Sequence, residues 1–337
     1  MRLVHRLILA LAVVAASATL AACGGSAGGA SGDSSKLTLV AYSTPKEAYG
    51  EIIPAFDKTA QGRGITFQQS YGASGDQSRA VQSGLPADVV ALSLAPDVSK
   101  LVKAGLVSPS WDKDRYKGMV TNSVVVLAVR KGNPKHIRDW SDLVKPGVEV
   151  ITPNPFTSGG ARWNVMAAYG AQIKAGKTPA QGLDYLKALF KNVPVQDKSA
   201  RESLQTFTAG KGDVLISYEN EAITAQRKGE KLDYVIPDRT ILIENPVALT
   251  TNAHNPTKAR EFVDYLRTPG AQRIFQSKGY RPVDQKLLDK ARFPTPPGLF
   301  TIADLGGWSK VTDEFFDPQK GSVAKIEQSL GVSTAKQ

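Results

Sequence analysis

The chain has 337 residues, 42 Lys and Arg against 31 Asp and Glu for a formal charge of +11, and one cysteine. That length suits two ordinary domains, and a single cysteine excludes an internal disulfide. The cations are scattered among acids, with no arginine-rich run or aromatic–basic cluster, so the charge points away from nucleic acid and toward an anionic membrane surface.

At the N-terminus, Arg2, His5 and Arg6 precede an apolar run over residues 7–20, followed at once by Ala21, Ala22 and Cys23. The run falls short of the ~20 residues a spanning helix needs and has the layout of a signal peptide. Leu20-Ala21-Ala22-Cys23 resembles the lipobox at which bacterial signal peptidase cuts before a lipidated cysteine. The expectation is a signal peptide over 1–22, a lipid on Cys23 and a Gly/Ser tether over 23–35, since such a run cannot bury a core. The mature chain would be exported and held on the outer side of the cytoplasmic membrane, with a charge of +9 once Arg2 and Arg6 are removed.

Beyond the tether, a strand is predicted at 37–41, then a helix with Tyr49, Ile52, Ile53 and Phe56 on one face, kinked by Pro54, then a strand at 65–69. A helix at 74–83, a strand at 88–94 and a helix at 96–104 follow. Further strands are expected at 123–129, 148–152, 214–218 and 247–250, between helices around 161–169, 183–190, 201–209 and 257–266, with a last helix at 322–330. Such alternation predicts α/β architecture with mostly parallel sheets. Ligands of open α/β sheets bind beyond the carboxyl ends of strands, against helix N-termini.

Three strand-to-helix junctions carry small residues there: Ser70-Tyr71-Gly72-Ala73-Ser74-Gly75-Asp76-Gln77, residues 154–164 with Thr157-Ser158-Gly159-Gly160-Ala161, and Asp197-Lys198-Ser199-Ala200-Arg201. Small side chains let an anion reach the unpaired N–H groups of a first turn, where the helix dipole is worth roughly +0.5 charge. Ser74 and Ser158 add hydroxyls. Ser and Gly also cap ordinary helices, so one such junction means little, but three together weaken that explanation.

Ser158-Gly-Gly-Ala-Arg-Trp-Asn164, Arg130-Lys-Gly-Asn-Pro-Lys135 and Glu219-Asn-Glu-Ala222 resemble the periplasmic sulfate-binding protein family, as do Lys145-Pro-Gly-Val148, Ile151-Thr-Pro-Asn-Pro155 and Asp139-Trp140 with Asp142-Leu143. The resemblance runs from about 38 to 325. It implies a type II periplasmic-binding-protein fold: one domain from 36–120 and 245–337, another from 121–244, and crossovers near 118–121 and 243–246. It places the anion in the cleft, held by Ser74, Ser158, Gly159, Gly160 and the N–H of Ala200. Tyr218 stands where the family usually has a donating tryptophan indole, and Ser43 where it commonly has aspartate. Ser43, Arg162 and Arg201 are expected behind the site, the arginines supporting the loops through ion pairs; plain solvated charge is the alternative for both arginines. The implied partner is the permease of an ABC importer, and the implied state is a monomer without cofactor.

Sulfate carries no proton at neutral pH, so it offers only acceptors and suits a cleft of donors. Phosphate still carries protons and would leave one facing a donor, at roughly 1–3 kcal/mol for each unpaired group. Thiosulfate, chromate and molybdate share the tetrahedral dianionic form. Other readings are a carrier of another oxyanion or an anion sensor. An enzyme lacks its base: apart from His5 in the leader there are only His136 and His254, neither serine lies in a Gly-x-Ser-x-Gly elbow, and no cluster has metal-ligand spacing.

Overall fold

The computed structural model describes residues 35–334, so the leader and Cys23 lie outside the described residues. Its first half is organised by β1 (Lys36–Tyr42), β2 (Thr66–Gly72) and β3 (Val89–Ala91), with α1 (Lys46–Asp57), α2 (Ser74–Gln82) and α3 (Ala95–Lys103) between and after them. Successive side chains of a strand point to opposite faces, and the apolar runs of β1 and β3 feed two cores in this way. Leu37, Leu39, Val89 and Ala91 pack with Tyr49, Ile52 and Phe56 of α1. Val40 and Val90 pack on the other face with Val98 and Leu101 of α3. Pro54 lies inside α1, which continues through it to Asp57.

The long β4 (Met119–Arg130) comes next, then β5 (Val150–Ile151), α4 (Gly159–Lys174), α5 (Pro179–Lys191), α6 (Ala200–Thr208), β6 (Val214–Tyr218), α7 (Glu219–Arg227), β7 (Leu232–Val235) and β8 (Leu242–Leu249). The strand order is β2-β1-β3-β8-β4-β6-β5, with β7 beside β4. Along β4 the same alternation recurs: Val125, Leu127 and Val129 join one core, and Val124, Val126 and Ala128 another. β4 and β8 lie antiparallel, from Met119 opposite Pro246 to Val124 opposite Leu242, with one irregularity near Met119.

The expected parallel sheet is corrected here to a mixed one. Parallel pairing is confined to β1–β2, β1–β3 and β5–β6, whereas β3–β8, β4–β6, β4–β7 and β4–β8 are antiparallel. Strand–helix alternation reports that helices cover the sheet faces; it does not say in which direction a long strand such as β4 runs.

The chain then adds α8 (Pro256–Leu266), α9 (Pro269–Ser277), β9 (Arg281–Pro282), which pairs with β4, α10 (Gly307–Phe315) and α11 (Ser322–Ser329). Phe262 and Phe275 of α8 and α9 close over α1, with Tyr49 and Phe275 edge to face at 5.8 Å. The C-terminal helices were expected with the first half of the sheet. Instead Val311, Phe315, Phe316, Val323 and Ala324 enter the core of Trp163, Tyr169 and Leu186, with Tyr169 and Phe315 edge to face at 4.8 Å. Each large apolar side chain buried there contributes about 1.5–3 kcal/mol, so this docking is strong. Among the described residues, no helix is long and apolar enough to cross a membrane.

Candidate functional site

A small cavity lies where the helix starts meet, lined by Tyr42, Ser43, Thr44, Ala73, Ser74, Ser93, Ser158, Gly160, Ala200 and Tyr218. Each of these residues lies within four residues of the first turn of α1, α2, α3, α4, α6 or α7. A first turn leaves N–H groups without intrahelical partners and concentrates the positive end of the dipole there. Six helix starts border this one small space, which suits it to negative charge. No Lys, Arg, Asp or Glu side chain is on its wall.

The structure thus brings together six of the residues singled out from the sequence: Ser43, Ser74, Ser158, Gly160, Ala200 and Tyr218. Ser158 caps α4, its Oγ accepting from the Ala161 N–H at 3.3 Å, which leaves its own proton for the cavity. Ala200 opens α6 behind a capping box of Ser199 and Glu202. Gly160 stands at the wall, where a Cβ would lie 3.4 Å from Ala200 Cβ and 3.6 Å from Tyr218 Cε1. Gly159 is pressed against the first half of the chain: a Cβ there would come to 2.4 Å from Leu94 Cδ2 and 2.9 Å from Ser93 Oγ. Close by, the Gly75 N–H donates to the Thr157 carbonyl at 3.2 Å. A Cβ on Gly75 would meet that same oxygen at 2.8 Å, so this approach requires glycine.

Three expectations change. Ser43 lies on the wall, not behind it, because it belongs to the turn that leads into α1. The Ser74 hydroxyl, expected as a donor to the anion, instead donates to Asp97 Oδ2 at 2.7 Å and accepts from the Ser93 N–H at 3.0 Å. Asp97 is buried, which would raise its pKa, but the charges of Lys100 and Arg162 bring it below the usual carboxylate value. Ser74 must therefore turn from an ionised carboxylate to meet an anion.

The third concerns the arginines. Arg162 was expected to support its loop through an ion pair, but among the described residues its Nε donates to the Pro155 carbonyl at 2.8 Å and its guanidinium lies over the Phe316 ring at 5.0 Å. It is buried, and burial pulls its pKa down against the opposing charge of Asp97. Arg201 does make ion pairs. It donates to Glu47 at 2.5 and 2.8 Å, to Glu221 at 2.9 and 3.1 Å and to the Thr44 carbonyl at 3.2 Å. Burial opposes ionisation of Glu47, but hydrogen bonds from Arg201 and Lys228 hold its pKa at about 2.

These charges border a second, larger cavity, which shares Ser43 with the first and is also lined by Lys46, Glu47, Tyr71, Arg201, Glu202 and Lys228. Sequence reasoning missed Ser93, Asn245 and Asp97. Ser93 Oγ lies 2.8 Å from the Tyr218 hydroxyl, and its carbonyl accepts from Trp163 Nε1 and Asn245 Nδ2, both at 2.9 Å. Ser93 had been read as part of a strand, and its position two residues before α3 was the available signal. Among the described residues, no group of three or more His, Cys, Asp or Glu could hold a metal.

A mixed sheet with helices on its faces and a small cavity without charged side chains at converging helix starts is the architecture of an extracytoplasmic solute-binding protein. The model of the family described as bacterial extracellular solute-binding protein matches residues 37–281. A sulfate-binding protein of Synechococcus elongatus is 48% identical over 93% of this chain and 93% of its own length. A thiosulfate-binding protein of Pseudomonas aeruginosa is 35% identical, covering 89% of this chain and 95% of that one. The solved structure of the sulfate-binding protein SubI from Mycobacterium tuberculosis is 46% identical, covers 84% of this chain and 100% of that one, and has a TM-score of 0.82. The chain belongs to the sulfate-binding branch of the bacterial extracellular solute-binding proteins and has their periplasmic-binding-protein fold.

Proposed function

We propose that this protein is an exported, lipid-anchored carrier that encloses sulfate, or its relative thiosulfate, in the small cavity and hands it to an ABC importer. The observation that carries the reading is the wall itself: hydroxyls and helix starts, with no charged side chain. Such a wall meets a dianion with donors at short range, and the exclusion of water strengthens each bond. A site lined by lysines would attract anions whatever their protonation; a site of donors prefers the anion that carries no proton. The names of the sulfate- and thiosulfate-binding relatives support the same ligand class.

In this reading the donors are the Ser158 hydroxyl, the backbone at Ser158, Gly159, Gly160 and Ala200, the Tyr218 phenol, and Ser74 once its hydroxyl leaves Asp97. β4 and β8 are the crossovers between two domains, and the cleft closes where Gly75 meets Thr157 and Gly159 meets Leu94. Cys23 carries the lipid and 24–35 the tether. The chain acts as a monomer, and the closed form is what the permease recognises.

The test is sulfate uptake by a strain deleted for this gene, complemented with the intact chain and with Cys23→Ala. Uptake restored by the first and reduced by the second supports the carrier and its anchor. Unchanged uptake in the deletion strain, with sulfate as sole sulfur source, would count against transport.

A further inference from the structure

A phenol differs from a pure donor in having two acceptor sites beside its one proton. At the wall of a site for an acceptor-only anion, those lone pairs are a liability. The surroundings of Tyr218 address this. The residue is 1% exposed, and its hydroxyl lies 2.8 Å from Ser93 Oγ. The fully buried Asn245 side chain stands behind Ser93 and holds it through the backbone. Asn245 has its orientation set: Oδ1 accepts from Thr121 Oγ1 at 3.2 Å, and Nδ2, at the other end, donates to the Ser93 carbonyl at 2.9 Å. Ser93 is itself immobilised, since its N–H donates to Ser74 Oγ at 3.0 Å and its carbonyl receives the Trp163 indole at 2.9 Å. Its hydroxyl rotor is the one part left to adjust.

We propose that Ser93 is a positioning residue for specificity: held in place by Asn245, its hydroxyl occupies an acceptor site of the Tyr218 phenol, so that the phenol meets the anion as a donor. The phenol is the more acidic of the two alcohols, so the cooperative arrangement beside a dianion runs from the Ser93 hydroxyl to the Tyr218 oxygen and from the Tyr218 proton to the anion. Burial pushes the phenol pKa well above its ordinary value, so the proton stays available. Removing the serine hydroxyl frees a phenol lone pair. That lone pair repels sulfate but welcomes the proton of hydrogen phosphate.

This inference rests on the sulfate-carrier reading, and the experiment separates the two. Calorimetric titrations of sulfate and phosphate, at pH 6 and pH 8, would be run on the chain without residues 1–23, on Ser93→Ala, on Tyr218→Phe and on the double variant. Ser93→Ala is expected to lower the sulfate-to-phosphate affinity ratio by ~10-fold or more, on a protein that still unfolds cooperatively. Tyr218→Phe, which has no hydroxyl to orient, is expected to weaken sulfate ~10-fold, and adding Ser93→Ala to it should leave the ratio where it was. An unchanged ratio in Ser93→Ala, or an equal shift on the Tyr218→Phe background, would overturn the role of Ser93 while leaving the carrier intact. Failure of the unmodified protein to bind sulfate would overturn both.

Discussion

The two neighbouring cavities share Ser43 and differ in everything else that faces them. The smaller presents hydroxyls and helix starts, while the larger presents Lys46, Glu47, Arg201, Glu202 and Lys228. In the larger, Arg201 and Lys228 are matched by Glu47 and Glu221, so those four charges balance within one cluster. If the smaller cavity holds the anion as proposed, the contrast explains how such a site can work without a cation on its wall. Oriented dipoles act at the cavity, where they also read protonation, and full charges are kept a layer away and paired with one another.

The sharpest way to break this contrast is to keep the donors and deny them closure. Gly159→Leu would drive its side chain into Leu94 and Ser93, so sulfate affinity should fall by ~1000-fold or more, about 4 kcal/mol, in calorimetry on a protein that still melts cooperatively. Next comes the charged cluster. Arg201→Met leaves Glu221, fully buried, without its cation, and urea unfolding should show a loss of about 3 kcal/mol. Adding Glu221→Gln should recover part of it.

The pH dependence of stability separates paired from unpaired carboxylates. Glu327 is buried, which raises its pKa to about 7, and its one hydrogen bond among the described residues is from Gln196 Nε2 at 2.8 Å. The folded state therefore holds this proton more tightly than the unfolded chain. Stability should decline between about pH 4.5 and 7, by about 2–3 kcal/mol from this group, and Glu327→Gln should flatten that decline in unfolding curves taken across the range. Glu47 has the opposite sign: its pKa is lowered, so its contribution is present above pH 4.5 and is lost as pH falls toward 2. The smallest effect belongs to the rim. Lys46→Ala should alter the sulfate Kd by less than ~3-fold at physiological salt, and its influence should be confined to association rates at low ionic strength, read by stopped flow.

Much of this was legible in the sequence. The strands β1, β3, β4 and β6 carry apolar runs that only buried strands tolerate, and α1 has an unambiguous apolar face. Three of the six helix starts were visible because Ser and Gly mark α2, α4 and α6. The start of α3 was read one residue late and without a part in the site, and those of α1 and α7, which follow Pro45 and Tyr218, carry no Ser–Gly mark. Partners distant in sequence were equally hidden: Asp97 behind Ser74, Ser93 against Tyr218, and Glu47 on Arg201 are pairings that only the folded chain creates. Of the two C-terminal helices, α11 was read as a helix and α10 was not, and nothing in the periodicity of α11 says which core it joins.

The central claim is that a wall of donors without charge selects a tetrahedral dianion by its lack of a proton. The most direct test is a side-by-side titration of the chain without residues 1–23 with sulfate and phosphate at pH 7. The expected result is sulfate bound at least ~100-fold more tightly, about 2.7 kcal/mol, consistent with one or two donors left unpaired by phosphate. Phosphate bound as tightly as sulfate would contradict it.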